Sequence, residues 1–179
     1  MKEKAGKMAY RFTQDVEKQY PGTFQLDPST GDLVVVRSLD REEMEKYSFK
    51  AIAYDGGNPS RTSTVQVNIE VLDTNDNPPV FYPLKYFVVL QPDFPQNQLV
   101  EQIRATDADA GINSVLEYSL IDGDTSTFSL DKKNGRVNLR RPLSELRGNS
   151  YELRVGVEDK KGRKSTENAI LKSFLNQKT

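Results

Sequence analysis

Asp73-Thr74-Asn75-Asp76-Asn77-Pro78-Pro79 sets two carboxylates and two amides one to two residues apart, directly ahead of a rigid Pro-Pro pair. Oxygen donors at that density suit a hard cation such as calcium, which takes six to eight oxygens from carboxylates, amides and main-chain carbonyls. The prolines stop the run from continuing as a helix or a central strand. The stretch therefore reads as an ion-binding joint between two folded units, residues 1–79 and residues 80–179.

A length of 179 residues fits that division, since ordinary domains run to about 100 residues each. The formal charge of −1 gives no general attraction to nucleic acid or anionic lipid. The chain contains no histidine and no cysteine. Imidazole acid–base chemistry, thiol nucleophiles, disulfides and zinc sites of the His or Cys type are thereby excluded. No apolar run approaches the roughly 18 residues of a membrane span, and Met1 to Lys7 lacks the apolar core of a signal peptide.

Comparing the chain with itself reveals tandem units. Phe24, Asp27, Gly31, Leu39, Tyr47, Ala53 and Asp55 recur 104 positions later as Phe128, Asp131, Gly135, Leu143, Tyr151, Val157 and Asp159. Tyr10 and Tyr118 match at a separation of 108. The copies differ at their starts: 38 residues separate Pro79 from Tyr118, but only nine precede Tyr10. The first copy is expected to lack its opening strand or two.

Each copy reads as antiparallel β structure. Val65, Val67, Ile69 and Val71 alternate with polar residues, as do Tyr151, Leu153, Val155 and Val157. A period of two with one apolar face predicts strands on a two-layer core. Asp27 to Asp32 and Asp131 to Gly135 are turn sequences in which the aspartate caps the turn and glycine supplies positive φ. Phe24, Phe49, Ile52, Tyr118 and Phe128 are core candidates. The fold class expected is all-β: two tandem Greek-key β-sandwiches.

Further acidic groups complete the pattern: Asp107-Ala108-Asp109-Ala110-Gly111 with Asn113 beyond, Leu39-Asp40-Arg41-Glu42, and Asp159 directly after a strand. Together with Ala53-Tyr54-Asp55-Gly56-Gly57 and Asp73 to Pro79, they resemble, in content and in order, the extracellular repeats of the cadherin superfamily. The resemblance covers roughly residues 8 to 170. It implies calcium, up to three ions, at the joint. Asp107, Asp109 and Asp159, with Asn75 and main-chain oxygens of Asn77 and Asn113, resemble the cage of one ion. Asp40, Glu42, Asp73, Asp76 and the Thr74 carbonyl resemble the ligands of two more, with Asp109 bridging. A glutamate that the family uses near the start of the first repeat has no counterpart here, so the first cage is expected to be the most secure.

Adding the charges gives a mechanism. Asp40, Glu42, Asp73, Asp76, Asp107, Asp109 and Asp159 bring seven negative charges to the joint, and each pair about 4 Å apart repels by roughly 4 kcal/mol at an effective dielectric near 20. Three calcium ions would nearly cancel them and convert a hinge into a rod.

The far end of the second copy departs from the pattern. Ser144, Glu145 and Leu146 stand where the first copy has Asp40, Arg41 and Glu42, and Pro92 replaces the opening glutamate. Residues 171–179 carry no Asp-rich run, so that end is expected to bind no calcium. The basic run Lys160-Lys161-Gly162-Arg163-Lys164 is expected to be a solvated strand end or hairpin, and Asp55 an unoccupied relic of an upstream joint.

The resemblance thus implies a calcium-dependent adhesion or recognition ectodomain fragment and no enzyme. Its expected partners are other cadherin-like ectodomains, and its setting is extracellular, in a membrane-anchored parent. Two alternatives are a calcium-independent spacer with decayed sites and a hydrolase using paired carboxylates. The latter needs two acids facing across a concave pocket. Acids clustered at a linker offer no such pocket.

Overall fold

The computed structural model describes residues 7–176, so Met1 to Gly6 and the last three residues of the Asp-poor terminal stretch lie outside the described residues. The chain divides into two units, Met1–Asp73 and Thr74–Thr179.

Unit 1 contains β1 (Ala9–Phe12), a helical turn α1 (Val16–Gln19), β2 (Phe24–Leu26), β3 (Leu33–Val35), β4 (Lys46–Tyr54) and β5 (Thr62–Glu70). One sheet has the order β1-β4-β5, and β2 pairs with β3. All of these pairings are antiparallel. The buried core is Val16, Phe24, Tyr47 and Phe49. Its rings meet tilted or edge to face, with Phe24 and Phe49 centroids 4.9 Å apart and Tyr20 and Tyr47 centroids 5.1 Å apart. Such arrangements suit the aromatic quadrupole. On β4 the buried face is Tyr47 and Phe49, which puts Ile52 on the other face, level with Arg11 and Thr64 and only half-buried. The expectation that Ile52 joins the core is therefore corrected: the period of two that buries Phe49 turns Ile52 away.

The described residues of unit 2 form nine strands: β6 (Val80–Phe81), β7 (Lys85–Leu90), β8 (Leu99–Gln102), β9 (Ala105–Thr106), β10 (Leu116–Asp122), β11 (Phe128–Leu130), β12 (Arg136–Leu139), β13 (Ser150–Asp159) and β14 (Ala169–Leu175). They form a β10-β13-β14-β7 sheet, a β11-β12-β8 sheet and a small β6-β9 pair. Tyr118, Leu153, Val155, Val157 and Leu171 from the first sheet share one core with Val100, Phe128, Val137 and Leu139 from the second. This is a β-sandwich. Each fully buried aliphatic or aromatic side chain contributes about 1.5–3 kcal/mol of transfer free energy.

The two units match in their D-x-x-x-G hairpins. Asp27 Oδ1 accepts from the N–H groups of Ser29 and Thr30, and Asp131 Oδ1 accepts from that of Lys133. Gly31 and Gly135 have φ of 79° and 69°.

The units differ at their edges. In unit 2, β7 runs parallel beside β14 and β8 runs antiparallel beside β12. Among the described residues of unit 1, β5 and β3 have no equivalent neighbours. The alternation of β5 is present, but Val65 is 59% exposed and Val34 on β3 is 50% exposed. An apolar cleft of about 230 Å³, lined by Phe49, Val65, Val67 and Leu33 among others, opens between them.

Two outcomes are expected. Gly135 and Gly162 both have positive φ, 69° and 87°, but a Cβ on Gly135 would in addition lie 2.2 Å from the Ile103 carbonyl oxygen, whereas one on Gly162 meets nothing within 4 Å. Gly135→Ala, which adds a clash to the backbone strain, is expected to cost about 2–4 kcal/mol and Gly162→Ala, which carries the strain alone, about 1–2 kcal/mol, read by urea denaturation.

Asp124 accepts from the hydroxyls of Ser126 and Thr127 and from both their N–H groups. The two hydroxyls, with the backbone groups adding, hold its pKa down to about 2, below the ordinary 3.8. A pKa lower in the folded state means stability that is present above about pH 4 and lost as pH falls toward 2. Asp124→Ala is expected to cost about 1 kcal/mol at neutral pH, the group being only half-buried, and a small fraction of that at pH 2, where the carboxyl is about half protonated in the folded state. Denaturation midpoints across that range read the difference.

Candidate metal centre

Strand pairing alone brings three separate pieces of unit 2 to one end. β6 pairs with β9, Val80 opposite Thr106, so the segment Thr74 to Pro79 ahead of β6 runs beside Asp107 to Asp109 beyond β9. β10 pairs with β13, Leu116 opposite Asp159, which sets the end of β13 beside the loop that precedes β10. Carboxylate oxygens of Asp107, Asp109 and Asp159 all lie within 4.8 Å of one another. Asp109 and Asp159 are 6% and 3% exposed, and Asp107 is half-buried.

In both buried carboxylates, Oδ1 is committed to the protein. Asp109 Oδ1 accepts from Asn77 Nδ2 at 2.9 Å and from the Asn77 N–H at 3.3 Å. Asp159 Oδ1 accepts from the N–H groups of Lys161 at 2.7 Å and Arg163 at 3.0 Å. Asp107 Oδ1 accepts from the Asp109 N–H at 2.9 Å, closing an Asx turn. Buried Asp109 Oδ2 and Asn75 Oδ1 receive no hydrogen bond, and Asp159 Oδ2 and Asn113 Oδ1 are buried too. Burial pushes the Asp159 pKa up. The Arg163 N–H, the Asn75 side chain and the N–H groups of Lys161 and Gly162 outweigh burial and leave it below the ordinary value. The carboxylate is therefore anionic at neutral pH, in a donor set made only of oxygens. An unpaired buried oxygen costs about 1–3 kcal/mol. A calcium ion would relieve that cost and the charge crowding together, so the residues present fit this metal.

The remaining sequence-nominated ligands are placed as follows. In unit 2, the Thr74 carbonyl accepts from the Asp76 N–H at 2.9 Å, and exposed Asp76 accepts from Asn77 Nδ2 at 3.0 Å. Asn77 reaches the cage through its side chain and N–H, while the sequence reading gave it only a main-chain oxygen. In unit 1, Asp40 Oδ1 accepts from the N–H groups of Glu42 and Glu43. Arg41 pairs with Glu42, with Glu45 at 3.3 Å and with Asp73 at 2.8 Å, so a guanidinium bridges Glu42 and Asp73. Asp55 Oδ1 accepts from the N–H groups of Gly57 and Arg61.

At the far end of unit 2, Pro92, Ser144 and Leu146 line a cleft of about 430 Å³ with Leu90, Leu143 and Leu175. Sequence reasoning missed Arg163, which was grouped with a solvated basic run. Its guanidinium donates to the carbonyls of Asn75 at 2.7 Å and Asp76 at 3.0 Å.

The Cadherin domain family model matches residues 2–72 and 87–172. The chain belongs to the cadherin family. Cadherin ectodomains are in general adhesion and recognition modules. Among curated relatives, mouse Protocadherin Fat 4 is 38% identical over 161 residues, covering 90% of this chain and 3% of that protein. Mouse Cadherin-23 is 40% identical over 144 residues, covering 77% of this chain and 4% of its own length. A solved structure of the Protocadherin gammaB7 EC3-6 cis-dimer superposes with a TM-score of 0.80 at 26% identity, over 94% of this chain and 42% of that one. The chain thus spans a few per cent of the length of these curated cadherins. No helix among its described residues is long and apolar enough to cross a membrane.

The cage makes a prediction without metal. Oxygens at most 4.8 Å apart repel by roughly 3–4 kcal/mol per pair at an effective dielectric near 20. Asp109→Asn keeps the acceptor toward Asn77 and removes one charge. In chelator it is expected to raise the melting temperature by about 2–4 °C, the shift for about 1 kcal/mol in a chain of this size, measured by calorimetry.

Proposed function

We propose that this cadherin-family chain is a segment of a calcium-dependent cell-adhesion or cell-recognition ectodomain, folded as two repeats over residues 1–79 and 80–179. The observation that carries the reading is the convergence of Asp107, Asp109 and Asp159 in an all-oxygen donor set in which the buried Asp109 Oδ2 and Asn75 Oδ1 receive no hydrogen bond. Asn75, Asn77 and Asn113 supplement the carboxylates in holding one calcium ion. The ligand roles of Asp40, Glu42, Asp73, Thr74 and Asp76, for up to two further ions, rest on the sequence resemblance alone. In this reading calcium cancels the anionic charge and stiffens the tandem. The parent protein is membrane-anchored and acts at the cell surface, its partners are other cadherin-like ectodomains, and the chain catalyses no reaction.

Calorimetric titration tests the reading. Calcium is expected to bind with a dissociation constant of about 10⁻⁴ to 10⁻³ M or tighter. At a hundredfold excess over that constant, about 2.7 kcal/mol of stabilisation is expected, a melting shift of about 5–10 °C. Asp159→Ala should abolish most of the heat and most of the shift. Equal melting of both proteins in calcium and in chelator would refute the assignment. Small-angle scattering on the same samples reads the stiffening, as a narrower spread of interatomic distances with calcium.

A further inference from the structure

Arg163 occupies a position that the calcium reading does not by itself explain. Its backbone N–H donates to Asp159 Oδ1 at 3.0 Å, and its carbonyl accepts from the Asp159 N–H at 2.9 Å. Its main chain is thus locked to Asp159 of the cage by two bonds, one to the carboxylate and one from the backbone N–H. Its guanidinium then forks, Nη2 to the Asn75 carbonyl at 2.7 Å and Nη1 to the Asp76 carbonyl at 3.0 Å. The next residue, Asn77, donates twice to Asp109. The chain from Asn75 to Asn77 is therefore held at one side by Arg163 and at the other by Asp109.

We propose that Arg163 is a positioning residue, a built-in cation that holds the Asn75–Asn77 backbone in its ligand-presenting path before calcium arrives. The proposal rests on the calcium reading above for its purpose, though not for its geometry. A planar guanidinium reaches two successive carbonyls with parallel donors, which a lysine ammonium cannot do in the same way. The corresponding hairpin of unit 1 has the same backbone exchange, Arg61 N–H to Asp55 Oδ1 at 2.7 Å and Asp55 N–H to the Arg61 carbonyl at 3.1 Å. The hairpin is thus a shared scaffold, and in unit 2 the arginine on it is directed to the segment that carries Asn75.

Two opposite effects meet at Arg163. A positive charge near a cation site repels the incoming ion, whereas a fixed segment raises the share of molecules ready to bind. The side chain is solvent-exposed, so the high dielectric of the surrounding water reduces the repulsion at short range and salt removes it beyond about 8 Å. Apparent affinity falls in direct proportion to the share of competent molecules. Positioning wins.

The test uses the whole chain and its Arg163→Ala and Arg163→Lys variants. Calcium affinity by calorimetry is expected to fall roughly three- to tenfold in Arg163→Ala and by less in Arg163→Lys. In chelator, hydrogen exchange of the Asp76 and Asn77 amides should quicken by a similar factor in Arg163→Ala, with core amides of Leu153 and Val155 unchanged. Unchanged or tighter calcium binding in Arg163→Ala overturns the proposal, as does unchanged exchange at Asp76 and Asn77. If Arg163→Ala loosens the core amides as well, Arg163→Lys decides by the same two criteria. If the wild-type chain gives no calcium heat, the calcium reading fails alone, and exchange at Asp76 and Asn77 still decides whether Arg163 holds the segment.

Discussion

Mutual repulsion among Asp107, Asp109 and Asp159 is the constraint around which unit 2 is arranged at this end. Folding tolerates the cluster because each carboxylate first spends an oxygen on a donor from its own neighbourhood: Asp107 on the Asp109 N–H, Asp109 on Asn77, Asp159 on Lys161 and Arg163. Charge-assisted bonds of this kind are stronger than neutral ones. They fix side-chain direction, so that the second oxygens of Asp109 and Asp159 are buried. A buried anion without a donor is costly. The sandwich behind it supplies the rigidity that keeps three such groups from moving apart.

That rigidity is unevenly distributed. Unit 2 closes its core with β7 and β8, and fourteen buried apolar side chains share one cluster. Among its described residues unit 1 has four, under two short sheets whose outer strands present Val34 and Val65 to solvent. Both units nevertheless build the same hairpins on Asp27 and Asp131, because those turns depend on local Asx bonds and a left-handed glycine and not on the strands beside them.

How far these features could be read in advance follows the range of the physics involved. The buried face of β13 and the aspartate-capped turns are set by residues two to four apart, and the alternation and the Asp-to-Gly spacing display them directly. The proximity of Asp107 to Asp109 is equally local, and Asp159 joins them through a strand register that the internal repeat made legible. Ile52 was misplaced because an apolar residue on either face of a strand looks alike in sequence, and only pairing with β1 and β5 fixes the inward side. Val65 alternates correctly yet is exposed, since alternation announces a face and not what covers it. Arg163 was invisible for a different reason. Its partners are carbonyls of Asn75 and Asp76, nearly ninety positions away, and main-chain acceptors carry no mark in an amino-acid string.

The parallel pairing of β7 with β14, from Lys85 opposite Ile170 to Leu90 opposite Leu175, has a mechanical consequence. β7, which follows the short β6, and β14, the last strand among the described residues, run side by side in the same direction, so the start of β7 and the end of β14 lie at opposite poles of unit 2. Tension between those poles slides one strand along the other, so the bonds of that ladder bear the load together instead of parting one after another like a zip. A module built in this way yields late and abruptly when pulled end to end.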